Sequence, residues 1–169
     1  MKNTRSYKIA LSAVLISLAA ALSYAERFIP LGLIVPLPGI KLGLANVVSI
    51  FALFFLGFRT AFVILVSRCL ITSFFGGFSS LMFSLVGGIM AVIMMELLRK
   101  CRIFSIYGIS IGGSVMHVTG QILTSMLIMK SYYVLSYLPV LLVSAVITGI
   151  ITALISAQVL KRAEKAIKL

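Results

Sequence analysis

Negative charge is scarce in this chain, which has no aspartate and only three glutamates against fifteen lysines and arginines. Without aspartate there is no Asp-rich pair to hold magnesium on a diphosphate, so catalysis of prenyl transfer by the chain itself is excluded. No glycine-rich loop ends in Lys-Ser or Lys-Thr, which excludes nucleotide hydrolysis by the P-loop route. One histidine and two cysteines form no cluster suited to zinc or haem. These absences predict a protein that is not an enzyme and uses no metal or cofactor.

Apolar residues are abundant instead. They make up 62% of the 169 residues, charged residues make up 11%, and the mean hydropathy is +1.21. A helix that crosses a hydrocarbon layer of about 30 Å needs around 20 mostly apolar residues, and such segments cover nearly the whole chain. The composition therefore predicts a single all-helical transmembrane domain over residues 1–169. In that setting the formal charge of +12 indicates topology signals and not nucleic-acid binding.

Charged residues, prolines and glycines divide the chain into six predicted spans. They lie near 8–25, 43–58, 60–75, 79–98, 104–128 and 134–160. The second and third are separated at Gly57-Phe58-Arg59, because 43–75 as one helix would be too long for the bilayer. The basic start and first apolar run resemble a signal peptide, but five spans follow and Ser23-Tyr24-Ala25 is a poor cleavage site, so we interpret the segment as a retained helix.

The distribution of lysine and arginine predicts the orientation. Counting on alternate sides of the six spans places eleven of them on one side and only Arg27, Lys41 and Lys130 on the other. Because loops rich in lysine and arginine stay in the cytoplasm, both termini are predicted to be cytoplasmic, in a bacterial-type plasma membrane. Arg68 is left over, inside the third span.

The connection between the first two spans, 26–42, carries three of the four prolines of the chain and cannot be a continuous helix. Its other residues are mostly apolar, unlike those of a solvated linker. We therefore predict a lid that folds back onto the helix bundle, and an interfacial loop on the lipid headgroups is the alternative.

Arg68 is the first candidate site residue. It lies about nine residues into its span, roughly 13 Å deep at 1.5 Å per residue. A charge at that depth normally faces a protein interior or a water-filled cavity and marks a functional site. Structural pairing is the alternative, and Glu26 is the only acidic residue near the outer face. Glu96 and Glu164 lie beside lysines and arginines at the cytoplasmic ends, where surface pairing explains them.

A polar stripe on the fifth span gives further candidates. His117 and Gln121 are one helical turn apart, and Thr124 continues the stripe. We expect them to line a cavity, with packing inside the bundle as the alternative. Lys41 and Asn46 flank the entry to the second span and could reach the same cavity, although Lys41 could instead extend to the headgroups.

If Arg68, Lys41, Arg27 and His117 converge, the outer cavity is electropositive. Such a cavity suits a small anionic or strongly polar ligand that has an apolar portion. The sequence alone leaves their convergence open.

The first helix carries small residues at four-residue spacing, Ala13, Ser17, Ala21 and Ala25. A row of this kind lets another helix approach closely. The spacing alone slightly favours packing inside the bundle, and docking of a partner helix is the alternative.

Three stretches resemble the Gx transporter family, which is also labelled heptaprenyl diphosphate synthase component I. They are Pro38-Gly39-Ile40-Lys41-Leu42-Gly43-Leu44-Ala45-Asn46, then Gly76-Gly77 with Ser84-Leu85-Val86-Gly87-Gly88, then His117-Val118-Thr119-Gly120-Gln121. The likeness covers residues 8–160. Val118 stands where asparagine is usual in the family.

That family in turn resembles the S components of energy-coupling factor (ECF) transporters, six-helix membrane proteins that bind a vitamin or similar nutrient. The resemblance implies that the loop after the first helix caps an outward-facing pocket. It also implies that Ala13, Ser17 and Ala21 dock a transmembrane coupling subunit, which two partner ATPases drive. The expected substrate-binding residues are Arg68, His117, Gln121, Lys41 and Asn46.

The synthase label implies a different role, that of a membrane accessory subunit for a soluble prenyl-chain enzyme. A third interpretation is a solitary facilitator that works without ATP. The three interpretations differ mainly in the partner that they require.

Overall fold

The computed structural model describes residues 5–28, 41 and 43–168. All regular elements in these ranges are helical, as predicted. The α-helices are α1 (Arg5–Ala25), α2 (Asn46–Phe55), α3 (Phe58–Cys101), α4 (Ile106–Met129) and α5 (Leu138–Lys168), with 3-10 segments at Glu26–Phe28 and Tyr132–Tyr137. Among the described residues, four segments are long and apolar enough to cross a membrane, namely α1, α3, α4 and Tyr132–Ala163, which contains most of α5. The chain is therefore an all-helical membrane protein.

The long helix α3 folds back on itself at Gly77. This residue has φ 70° and ψ −179°, outside the helical region, and glycine adopts positive φ readily because it has no Cβ. A Cβ placed on Gly88 would lie 2.5 Å from Leu65 Cδ1, whereas a straight helix would hold these residues about 35 Å apart. The arms 58–76 and 78–101 are therefore antiparallel, and they correspond to the predicted spans 60–75 and 79–98.

The helix α2 is shorter than the predicted span 43–58. Its ten residues rise only about 15 Å, half the thickness of the hydrocarbon layer. The helix begins a few residues after the approximate predicted start, because 44–45 form a turn, and the break before α3 lies at Gly57, with φ 86°. The helix packs against α1, α3, α4 and α5 and is the central element of the bundle.

Basic residues gather at one end of the bundle. Arg5 and Lys8 at the start of α1 line a groove with Arg59 at the start of α3. The end of the second arm of α3 and the late part of α5 reach the same end, since Leu98 and Leu160 pack against the same apolar cluster as the last residues of α2. The opposite end, called here the Lys41 end, holds the start of α2 and the turn at Gly77.

Candidate functional site

A cluster of buried polar side chains lies at the Lys41 end, between α2, α3 and α4. Lys41 is only 8% exposed. Its ammonium group donates to Ser84 Oγ at 2.8 Å and to Ser80 Oγ at 3.1 Å, both on the second arm of α3. Lys41 therefore points into the protein, and its side chain does not extend to the headgroups.

Gln121 joins Lys41 to His117. With the amide oriented to satisfy its neighbours, Oε1 accepts from Lys41 N at 3.2 Å and from His117 Nε2 at 3.1 Å, and the amide nitrogen donates to Lys41 O at 3.2 Å. The Gln121 side chain on α4 thus forms hydrogen bonds with both the N–H and the C=O group of Lys41, in the segment that precedes α2. The predicted polar stripe faces inward, and His117, Gln121 and Thr124 are all buried.

Glycines bring these elements into contact. Gly43 has φ 85°, and a Cβ there would lie 2.9 Å from Asn46 Nδ2 and 3.2 Å from His117 Cδ2. Between α3 and α4, a Cβ on Gly120 would lie 2.8 Å from Gly87 Cα. Only glycine allows such close approach of one backbone to another. Gly43 therefore turns the chain beside Asn46 and His117, and Gly87 and Gly120 let α3 and α4 approach closely.

Arg68 is buried at 4% exposure and donates through Nη1 to Ser23 Oγ on α1 at 2.9 Å. Its Nε and Nη2 donors have no hydrogen-bond partner among the described residues, and neither does either side-chain polar atom of Asn46. Burying a cation with unpaired donors costs several kcal/mol. Arg68 therefore lacks acceptors that a bound anion or water would supply.

Glu26, which was not among the predicted site residues, links Arg68 to the cluster. It is 4% exposed, and its carboxylate accepts a hydrogen bond from Leu44 N. Burial raises the pKa of this carboxyl, while the N–H groups of Leu44 and Ala45 and the charges of Arg68 and Lys41 act in the opposite direction. Both cations therefore lie within electrostatic range of one carboxylate. As the only acidic residue in the first 95 residues of the chain, Glu26 could have been found from sequence.

The structure brings together four of the five predicted substrate-binding residues, namely Lys41, Asn46, His117 and Gln121. Arg68 lies beside them, on the side of α1, and it also acts electrostatically on His117. Their role in binding a ligand stays a prediction. The serines that hold Lys41 were missed, although Ser84 belongs to one of the family-like stretches. The predicted lid, 26–42, lies mostly outside the described residues, as does the side chain of Arg27.

Glu96 is the other acidic residue whose side chain the structure describes, and it forms ion pairs. Glu96 pairs with Arg99 at 2.8 Å and with Lys100 at 3.5 Å, as predicted, while the side chain of Glu164 lies outside the described part. Within residues 5–28, 41 and 43–168, no group of three His, Cys, Asp or Glu residues could hold a metal ion.

A comparison with protein-family models assigns the chain. The model described as heptaprenyl diphosphate synthase component I matches residues 15–159. The chain belongs to this family. The resemblance seen in the sequence is thereby confirmed at the level of the component I family, and the match spans every residue of the polar cluster. Neither the curated proteins nor the solved structures gave a match.

Val118, at the position where component I proteins usually have asparagine, has an apolar environment. It is buried in an apolar cluster with Ile122 and Val134. The same cluster contains Leu141 and Ala145 of α5. The side chain therefore takes no part in the polar cluster. His117 and Gln121, its neighbours in the same stretch, contact each other, and Gln121 also contacts the backbone of Lys41.

The small-residue row of α1 lies on its exposed side, at the edge that borders the first arm of α3. Ala13, Ser17 and Ala21 are exposed, whereas the buried face of α1 consists of Leu15, Ala19 and Ser23. The row therefore does not pack against the described part of the chain, and the interpretation that spacing alone favoured is wrong. This face is open to lipid or to a partner helix.

Proposed function

We propose that this chain is the substrate-binding membrane subunit of an ECF-type uptake system. It captures a small vitamin-like or anionic amphipathic molecule from outside, and partner subunits drive its inward delivery with ATP. The observation that carries this proposal is Arg68, a buried cation with two unpaired donors. Ionisable groups inside membranes are costly, and they are typically retained for function.

The ligand supplies an anionic group to Arg68 in this proposal. Carboxylate and phosphate oxygens bind guanidinium donors in pairs, and Nε and Nη2 are the two donors left open. Asn46, buried beside Gly43, offers a further donor and acceptor. Lys41, held by Ser80 and Ser84, adds positive charge at the same end.

The proposed topology has six crossings, with both termini in the cytoplasm. The two arms of α3 count separately, and the short α2 is enclosed by the other helices, where its length need not match the bilayer. The end that carries Arg5, Arg59 and Arg102 faces the cytoplasm under the positive-inside rule. The polar cluster then opens toward the outside, from which a nutrient would arrive.

The partner in this proposal is a transmembrane coupling subunit with two ATPases. The exposed row of Ala13, Ser17 and Ala21 supports it, because small residues allow a foreign helix to pack closely within a membrane. Catalysis belongs to those partners, and this chain is not an enzyme and holds no cofactor.

The family description favours a second candidate function, a membrane accessory subunit of a heptaprenyl diphosphate synthase. A soluble synthase would contact the cytoplasmic end of the bundle. Arg102 and Lys161 are exposed there, and they could pair with an acidic surface on the enzyme. In this alternative the polar cluster could hold an isoprenoid diphosphate.

Affinity purification of the tagged protein from its native membranes in mild detergent distinguishes these candidates. Mass spectrometry should identify a transmembrane coupling subunit and two ATPases in the eluate. Recovery of a soluble prenyl synthase instead would establish the second candidate. Recovery of neither would leave a solitary facilitator as the better interpretation.

The ligand site is tested separately, by extracting the small molecules that the purified protein retains. Wild type should retain a compound that Arg68→Gln loses, because the change removes the cation and its open donors. Arg102→Gln, a change of the same type at the opposite end of the bundle and outside the groove between α1 and α3, is the matched control and should retain the compound. Equal retention by both variants would remove Arg68 from the site.

A further inference from the structure

A groove lined by basic and apolar side chains lies at the basic end, far from the polar cluster. This groove, of about 480 Å³, runs between α1 and the first arm of α3. Arg5 and Lys8 in the first turn of α1 and Arg59 at the start of α3 line one end of it. Ile16 and Val63, one to two helical turns further on, line the other end. The groove therefore has a cationic head region and an apolar tail region.

The described residues offer no counter-ion to the cations of the groove. No acidic residue lines it, and within the described part of the chain the ion pairs involve only Glu96 with Arg99 and Lys100. The helix α3 also begins here, and the partial positive charge of its N-terminus adds to that of the three side chains. Positive charges held this close repel each other unless an anion lies between them.

The apolar part of the groove is open to the surrounding lipid. Ile9 is 63% exposed and Val63 is 58% exposed, so neither side chain is covered by the described residues. An occupant must therefore carry a negative group at the level of the headgroups and an apolar chain that continues into the membrane.

We propose that this groove binds an anionic phospholipid. Its phosphate lies among Arg5, Lys8 and Arg59, and one acyl chain follows Ile16 and Val63 along the groove. Basic side chains near a membrane surface attract anionic lipids with an effect of about fivefold in affinity for each lysine or arginine. A zwitterionic lipid gains less, because its own ammonium group is repelled by the same three cations.

The proposed site has a consequence for partner docking. Ala13 lines the groove and also belongs to the exposed small-residue row of α1. A lipid in the groove therefore lies along the edge of the surface proposed for the coupling subunit. The lipid proposal itself does not depend on what binds there, nor on the ligand of the polar cluster.

Native mass spectrometry of the purified protein in mild detergent tests the proposal with two lipids of identical acyl chains. Phosphatidylglycerol should bind more tightly than phosphatidylcholine. Arg59→Gln should weaken phosphatidylglycerol binding about fivefold, and Lys8→Gln combined with Arg59→Gln about 25-fold. Phosphatidylcholine binding should not change in either variant.

Lys161→Gln is the matched control, since Lys161 is exposed at the same end but does not line the groove. Lys161→Gln should leave phosphatidylglycerol binding unchanged. Arg59→Lys, which keeps the charge, should bind phosphatidylglycerol nearly as tightly as wild type. An unchanged unfolding temperature in lipid-free detergent shows that each variant is folded. An equal loss in Lys161→Gln, or equal binding of the two lipids, overturns the proposal. Displacement of phosphatidylglycerol by an equal concentration of a long-chain prenyl diphosphate would also overturn it, and would assign the groove to that compound.

Discussion

Gln121 is the side chain on which the polar cluster depends most directly. It contacts both the backbone of Lys41 and the ring of His117, so it connects the segment before α2 to α4. A buried glutamine in this position completes hydrogen bonds that no backbone group can reach. Its loss would leave donors and acceptors without partners in an environment that excludes water.

We expect Gln121→Leu to destabilise the protein by about 2 to 4 kcal/mol, because it leaves buried groups of Lys41 and His117 unpaired at a similar side-chain volume. Thermal unfolding in detergent measures the effect. Gln158→Leu on the exposed face of α5 is the control and should change stability by less than about 0.5 kcal/mol. Equal unfolding temperatures for the two variants would contradict the arrangement described.

Gly43 and Gly57 allow a second comparison, because they have nearly the same φ, 85° and 86°. Alanine at either position should cost about 1 to 3 kcal/mol for the positive φ, which at Gly57 is combined with ψ 170°. A Cβ on Gly43 also meets Asn46 and His117, whereas nothing lies within 4 Å of one on Gly57. Gly43→Ala should therefore unfold at a lower temperature than Gly57→Ala. The reverse order would show that the segment before α2 does not pack closely against α4.

The two faces of the helix α1 have different surroundings. One face, with Leu15, Ala19 and Ser23, packs on the bundle, and Ser23 holds Arg68. The other face carries the exposed small residues. Alanines on the two faces look alike in sequence and differ only in what covers them.

Substitution by leucine separates the two faces. Ala19→Leu should destabilise the protein by about 1 to 3 kcal/mol through overpacking. Ala21→Leu should leave stability within about 0.5 kcal/mol of wild type, yet it should sharply reduce recovery of the transmembrane partner in affinity purification, because a large side chain blocks close approach. Full recovery of the partner with Ala21→Leu would exclude this face as the docking surface.

The two native cysteines report on the orientation of the whole molecule. Cys101 is exposed at the basic end and Cys69 is buried. A membrane-impermeant maleimide should therefore label Cys101 in inside-out vesicles and not in intact cells, if the basic end is cytoplasmic.

A single engineered cysteine supplies the complementary measurement. Tyr133→Cys in a Cys101→Ser background should be labelled in intact cells, because Tyr133 is 87% exposed at the end of the bundle opposite to Cys101. Labelling of Cys101 from outside, or of both positions from one side, would contradict the proposed topology.

The sequence by itself determined the helical membrane class and the breaks at Gly57 and Gly77. It also determined that most lysines and arginines lie at alternate connections between the spans. These properties depend on local composition, because a hydrocarbon solvent requires each backbone segment to satisfy its own hydrogen bonds and excludes charge. The inward direction of His117 and Gln121 was predictable for the same reason.

Only the tertiary structure decided the shortened start of α2, the position of Glu26 beneath it and the outward direction of the small-residue row. Lys41 meets Ser84 across 43 residues and Gln121 across 80, and no local pattern encodes such a separation. Contacts of this kind arise when helices pack against each other, since packing determines which of several similar polar or small residues share a buried space.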